Sequence, residues 1–141
     1  LKPECQWEVA GGLQLTANDV FQASTARAAF YAAIQRLFDD YDYLVLPAAQ
    51  VFPFASEQHW PQSIAGVTMD SYHRWMEVVV PGTLSGCPVA AVPAGFNASG
   101  LPMGIQIIGK RYQDFATLQM AYAYEQASRW NLDITPPAIA T

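Results

Sequence analysis

Few side chains in this 141-residue sequence could carry out chemistry, and they are scattered. The two cysteines, Cys5 and Cys87, lie far apart in unlike surroundings, which argues against a disulfide framework or a zinc site. Cys87, between Gly86 and Pro88, has the type of a nucleophile. Neither histidine carries a local signature tying it to that thiol, so it reads as a small buried sulfur. His59 and His73 have no metal-type cluster near them and read as a loop histidine and a helix-surface histidine, leaving no metal site and no cofactor expected. Asp39, Asp40 and Asp42 read as an exposed acidic helix end rather than a cation site. Asn97-Ala98-Ser99 matches a glycosylation sequon but reads as turn chemistry. Gly95, Gly100, Gly104 and Gly109 lack the strand and helix context of a phosphate cradle.

The strongest organisation lies around those glycines. Gly86–Phe96 and Gly100–Gly109 hold two apolar runs fenced by Pro and Gly, which predicts a buried β-hairpin with a long glycine-rich connection. Pro88 is placed where a strand can begin, and Pro93 where it must stop. Residues 1–17 show no clean period and read as a connecting segment, with at most a short strand. Asn18-Asp19 gives a helix-start signal, and Val20, Phe30, Ile34, Leu37, Phe38 and Tyr41 predict an amphipathic helix over 19–39. Tyr43-Leu44-Val45-Leu46, ended by Pro47, predicts a central buried strand. Residues 48–66 read as a long loop. Asp70 to Val80 predicts a helix ended by Pro81-Gly82. Asp114 is expected to cap a last helix over 115–129, with Phe115, Leu118, Ala121 and Tyr122 inward. Residues 18–130 then form the core of a single unit, and 131–141 read as a tail.

This order predicts an α/β fold: a mixed sheet of about three strands covered by helices. Hydrophobic residues make up 52% and charged residues 13% of the chain, well below the roughly 25% charged share of an ordinary domain. So few charges leave apolar surface that more protein must cover, or that drives self-association. Seven Lys and Arg, scattered singly in a chain of formal charge −5, exclude a nucleic-acid stripe. No apolar run reaches the ~18 residues of a membrane helix, and the sparse cysteines suit a reducing cytoplasm. The start at Leu1-Lys2-Pro3 and the apolar excess together suggest a piece of a larger protein.

Four segments in register resemble the C-terminal third of amidase signature enzymes. They are Tyr41-Asp42-Tyr43-Leu44-Val45-Leu46-Pro47, Gly86-Cys87-Pro88-Val89-Ala90-Ala91-Val92-Pro93-Ala94-Gly95, Gly100-Leu101-Pro102-Met103-Gly104-Ile105-Gln106-Ile107-Ile108-Gly109, and the helix from Asp114 to Glu125. Val89 departs conservatively from the alanine common there. The resemblance covers roughly residues 25–130. It implies a larger mixed sheet, hydrolysis of a carboxamide, and a Ser-Ser-Lys catalyst on a Gly/Ser-rich stretch. No such stretch occurs in this sequence, and Lys2 and Lys110 do not fit the lysine motif, so no catalytic residue is expected in this chain.

The implied partners are a small-molecule amide substrate and the rest of the amidase chain. The long loop and following helix, with Trp60, Met69, Tyr72 and Trp75, are expected to wall an apolar pocket, although each of them taken singly reads first as core. Two other outcomes stay open: a non-catalytic binding or assembly module derived from the fold, and part of the glutaminase-type subunit of a tRNA amidotransferase.

Overall fold

The computed structural model describes residues 1–130, so the tail expected over 131–141 lies outside the described residues. Three antiparallel strands make the main sheet, in the order β1 (Tyr43–Pro47), β5 (Pro102–Gly109), β4 (Val89–Phe96). The predicted hairpin is present: Val89 pairs with Ile108 and Val92 with Ile105. Asn97 holds its turn, its Oδ1 accepting from the amides of Ser99 and Leu101, both at 2.9 Å.

Among the described residues β5 is the central strand and β1 lies at an edge. Tyr43 faces Gly109 and Pro47 faces Ile105, which leaves β1 with one partner among the described residues and Val45 48% exposed. Apolar continuity marks burial, whereas neighbours in the sheet are chosen by chain reversal, and only β5 is flanked on both sides. Ile107 and Ile108 on β5 are the best-buried apolar side chains.

Pro93 does not stop β4. The strand runs on to Phe96 through a register shift between Pro93 and Gly95. Pro93 lacks an amide, but β4 is an edge among the described residues, so no ladder donor is missed on its outer side.

The helices differ from expectation in instructive ways. Residues Pro3–Gly12, read as a connector, form helix α1, with Pro3 in the first turn where its missing N–H is harmless. Helix α2 spans Ala17–Asp40 and is capped by Thr16 rather than Asn18. Thr16 and Asp19 form a reciprocal capping box, and Asp19 is held below the usual carboxylate range by the Thr16 hydroxyl and then by its amide. Phe38 is the buried anchor of α2, while Val20 and Tyr41 are exposed.

Within the long loop, Ser63–Ile64 (β2) and Val67–Thr68 (β3) make a small hairpin around Ala65 and Gly66, both at positive φ. The helix predicted from Asp70 starts as a 3₁₀ helix, Arg74–Val79, and continues through Pro81-Gly82 as α3, Val80–Ser85, ending at left-handed Gly86. Pro81 sits in the first turn of α3, where it costs no hydrogen bond. Gly82 is needed for close approach: a Cβ there would stand 3.1 Å from Gln106 Oε1 and 3.2 Å from Val89 Cγ2.

Helix α4, Asp114–Ser128, begins with Gln113 at its N-cap position, without a side-chain cap. Its inward face is not the predicted one. Phe115, Leu118 and Tyr122 are 73%, 63% and 63% exposed, while Thr117 is buried and Ala121 half-buried. The small residue opposite decides the rotation, because Thr117 occupies the space a side chain at Gly109 would need.

Candidate functional site

Gln106, near the middle of β5, organises the end of the sheet. It is 4% exposed, and its Nε2 donates to the carbonyls of Pro47 at 2.8 Å and Val78 at 2.9 Å. One side chain thus ties the end of β1 to the 3₁₀ helix. Gln50 makes a second tie, its Nε2 donating to the carbonyls of Arg74 and Trp75 at 2.9 and 2.5 Å. The segment after Pro47 is therefore held against the helix that carries Trp75.

Between these parts and the β4–β5 hairpin lies a groove of about 530 Å³. Its walls include Val51, Phe52, Phe54, Trp75, Val92 and Met103. Phe54 meets Trp75 edge-on, with ring centroids 5.8 Å apart. The Trp75 indole N–H is buried without a hydrogen-bond partner among the described residues. Among the described residues that line it there is no Asp, Glu, His, Lys or Arg. Such a groove can hold an apolar group and exclude water, but it has no group to move a proton.

The four residues singled out from sequence are close together but do not share one cavity. Trp60 stacks on Tyr72 at 5.6 Å, and Tyr72 meets Trp75 edge-on at 6.1 Å, so three of them form a continuous aromatic row. Trp75 lines the groove; Trp60 and Tyr72 line a second cavity of about 340 Å³ beneath α1. Met69, 6% exposed, lies in the core. Sequence reasoning missed Phe52 and Phe54. Their signal was the aromatic pair around Pro53, directly after a strand that ends in proline.

The other candidates have structural partners. Ser85 Oγ donates to the Gly82 carbonyl at 2.8 Å and accepts from the Cys87 amide at 3.2 Å. The Cys87 sulfur is half-buried and accepts from Gln35 Nε2 at 3.6 Å. Lys110 Nζ stands 3.9 Å from Asp42. Exposed His59 and His73 pair with Glu4 and Glu8 of α1, the latter pair at 3.3 Å. Glu4 is held below the usual carboxylate range, first by a backbone N–H at the start of α1 and then by His59. No cluster of three potential metal ligands occurs among the described residues. None of their helices is long and apolar enough to cross a membrane.

Three antiparallel strands, their covering helices and the matched segments in order define an amidase-type α/β fold. A family model described as amidase matches residues 1–118, and the chain belongs to that family. A glutamyl-tRNA(Gln) amidotransferase subunit from Nostoc sp. (strain PCC 7120 / SAG 25.82 / UTEX 2576) is 33% identical over 79% of this chain and 22% of its own length. The chain thus spans about a fifth of that relative. Among solved structures, a bacterial aryl acylamidase of the amidase signature family superposes with a TM-score of 0.83 at 26% identity, over 93% of this chain and 27% of that one. A 6-aminohexanoate cyclic dimer hydrolase complexed with substrate gives 0.68 at 25% identity, over 88% and 27%.

Proposed function

We propose that this chain forms the C-terminal structural and pocket-wall part of an amidase that hydrolyses carboxamide C–N bonds. The Ser-Ser-Lys catalyst belongs to the rest of the amidase chain, which is also the main partner, and the proposed compartment is the cytoplasm. The observation that carries this reading is the apolar groove of Phe52, Phe54 and Trp75, built on the same segments that match the family. In the working enzyme the groove seats the apolar part of a small amide and keeps water from it, while proton transfer is done elsewhere.

Two measurements test this. The purified 141-residue chain is expected to show no turnover of simple amides, and robust hydrolysis would refute the division of labour. In a full-length enzyme carrying this segment, Trp75→Ala is expected to shift selectivity between aryl and small aliphatic amides by about tenfold, the worth of a few buried carbons. Unchanged selectivity would remove the groove from the substrate pocket. The 33% identity to the amidotransferase relative supports a second reading, a glutaminase-type subunit of a tRNA amidotransferase. Ammonia release from glutamine in preference to aryl amides would favour it.

A further inference from the structure

The cavity of about 340 Å³ beneath α1 plays no part in the amidase reading. Pro3 and Trp7 of α1 form one wall and Trp60 and Tyr72 another, with Glu4 and the exposed Asp70 also in the lining. The rings are held by stacking, Trp60 on Tyr72 at 5.6 Å and Trp7 on His73 at 6.2 Å. Buried Met69, whose amide donates to the Gln62 carbonyl at 2.9 Å, fixes the chain just before Asp70.

The two carboxylates differ. Glu4 is engaged by His59, whereas the Asp70 carboxylate has no hydrogen-bond or ion-pair partner among the described residues. No cation lines this cavity: Lys2 borders the neighbouring one with His59 and His73, and Arg74 lies 4.0 Å from Glu77.

We propose that this cavity binds a small organic monocation, an alkyl- or trimethylammonium group, with its charge toward Asp70 and its carbons against Trp60, Tyr72 and Trp7. Aromatic faces attract cations, and a carboxylate without a partner supplies the counter-charge. An anion would meet two acidic residues, and a neutral ligand would gain nothing from the exposed Asp70 carboxylate. The size suits a compact ligand, at the low end of the roughly 300–1,000 Å³ of small-molecule sites.

The test is a titration of the ¹⁵N-labelled chain with choline and with its neutral isostere 3,3-dimethylbutan-1-ol. Both titrations are run at one fixed pH and ionic strength. The four indole N–H signals are followed. Millimolar choline is expected to move the signals of Trp7 and Trp60 and to leave Trp75 and Trp130 in place. The neutral isostere is expected to bind at least about threefold more weakly. Asp70→Asn should weaken choline by a similar ~threefold while leaving the Trp75 and Trp130 signals unchanged, which also reports that the variant is folded. The proposal is overturned if choline moves nothing at millimolar concentration, if both ligands bind alike, if Asp70→Asn has no effect, or if the shifts fall at Trp75 and Trp130.

Discussion

Gln106→Met offers the sharpest test of how the groove is held. Methionine keeps the length and volume of the side chain, so no cavity opens, but both hydrogen bonds are lost. The carbonyls of Pro47 and Val78, now met by Nε2 at 2.8 and 2.9 Å, would face a thioether. Each unmade bond to a buried group costs about 1–3 kcal/mol. Pro47 is exposed and Val78 half-buried, so their carbonyls can recover part of this from water. A loss of about 2–3 kcal/mol is expected, roughly 5–10 °C in melting temperature for a chain of this size. Urea unfolding followed by tryptophan fluorescence measures the first figure. Amide exchange at Ala48, whose N–H donates to the Gly104 carbonyl at 2.8 Å, reports whether the loop after β1 loosens first. A loss below ~0.5 kcal/mol with Ala48 still protected would show that water or repacking replaces the amide, and that Gln106 does not clamp the groove.

Gly109→Ala would place a Cβ 2.0 Å from Thr117 Oγ1, so α4 must shift, at a cost of about 1–3 kcal/mol. Adding Thr117→Ala should cost less than the sum of the two single changes, and strict additivity in urea melts would disprove the contact. The depressed carboxyl of Glu4 stabilises α1, first through its backbone N–H and then through His59, above its usual value of 4.5, and that contribution is lost as pH falls through the lower folded value. The protection factors of the α1 amides, exchange corrected for the intrinsic rate at each pH, should therefore fall on acidification below that point, and Glu4→Gln should flatten the pH dependence; an unchanged profile would contradict the assignment. The exposed row Phe115, Leu118 and Tyr122 should make the chain self-associate, and Leu118→Ser with Tyr122→Ser should weaken this. Light scattering that finds the unmodified chain monomeric at high concentration would refute it.

Much of the site was legible in fragments. Pro47 and the hairpin were readable because turn residues and apolar runs are local signals. Gln106 was not, since a glutamine in an apolar strand announces neither burial nor its two distant carbonyl partners. Helix α1 was missed because it has no buried residue and no amphipathic stripe to detect; it is fastened by Glu4 and Glu8 to histidines more than fifty residues away. The inward face of α4 was misread because period alone ranks Phe115 and Leu118 above Thr117.

By itself, then, the sequence determined the succession of α2, β1, β4, β5 and α4, the β4–β5 hairpin and the family, because these rest on neighbours in the chain. Tertiary structure alone decided which strand is central, how α4 is turned and which aromatics share a cavity. Each of those outcomes depends on contacts between distant segments: β5 reached from both sides, Gly109 leaving room only for Thr117, and one buried glutamine joining two backbones.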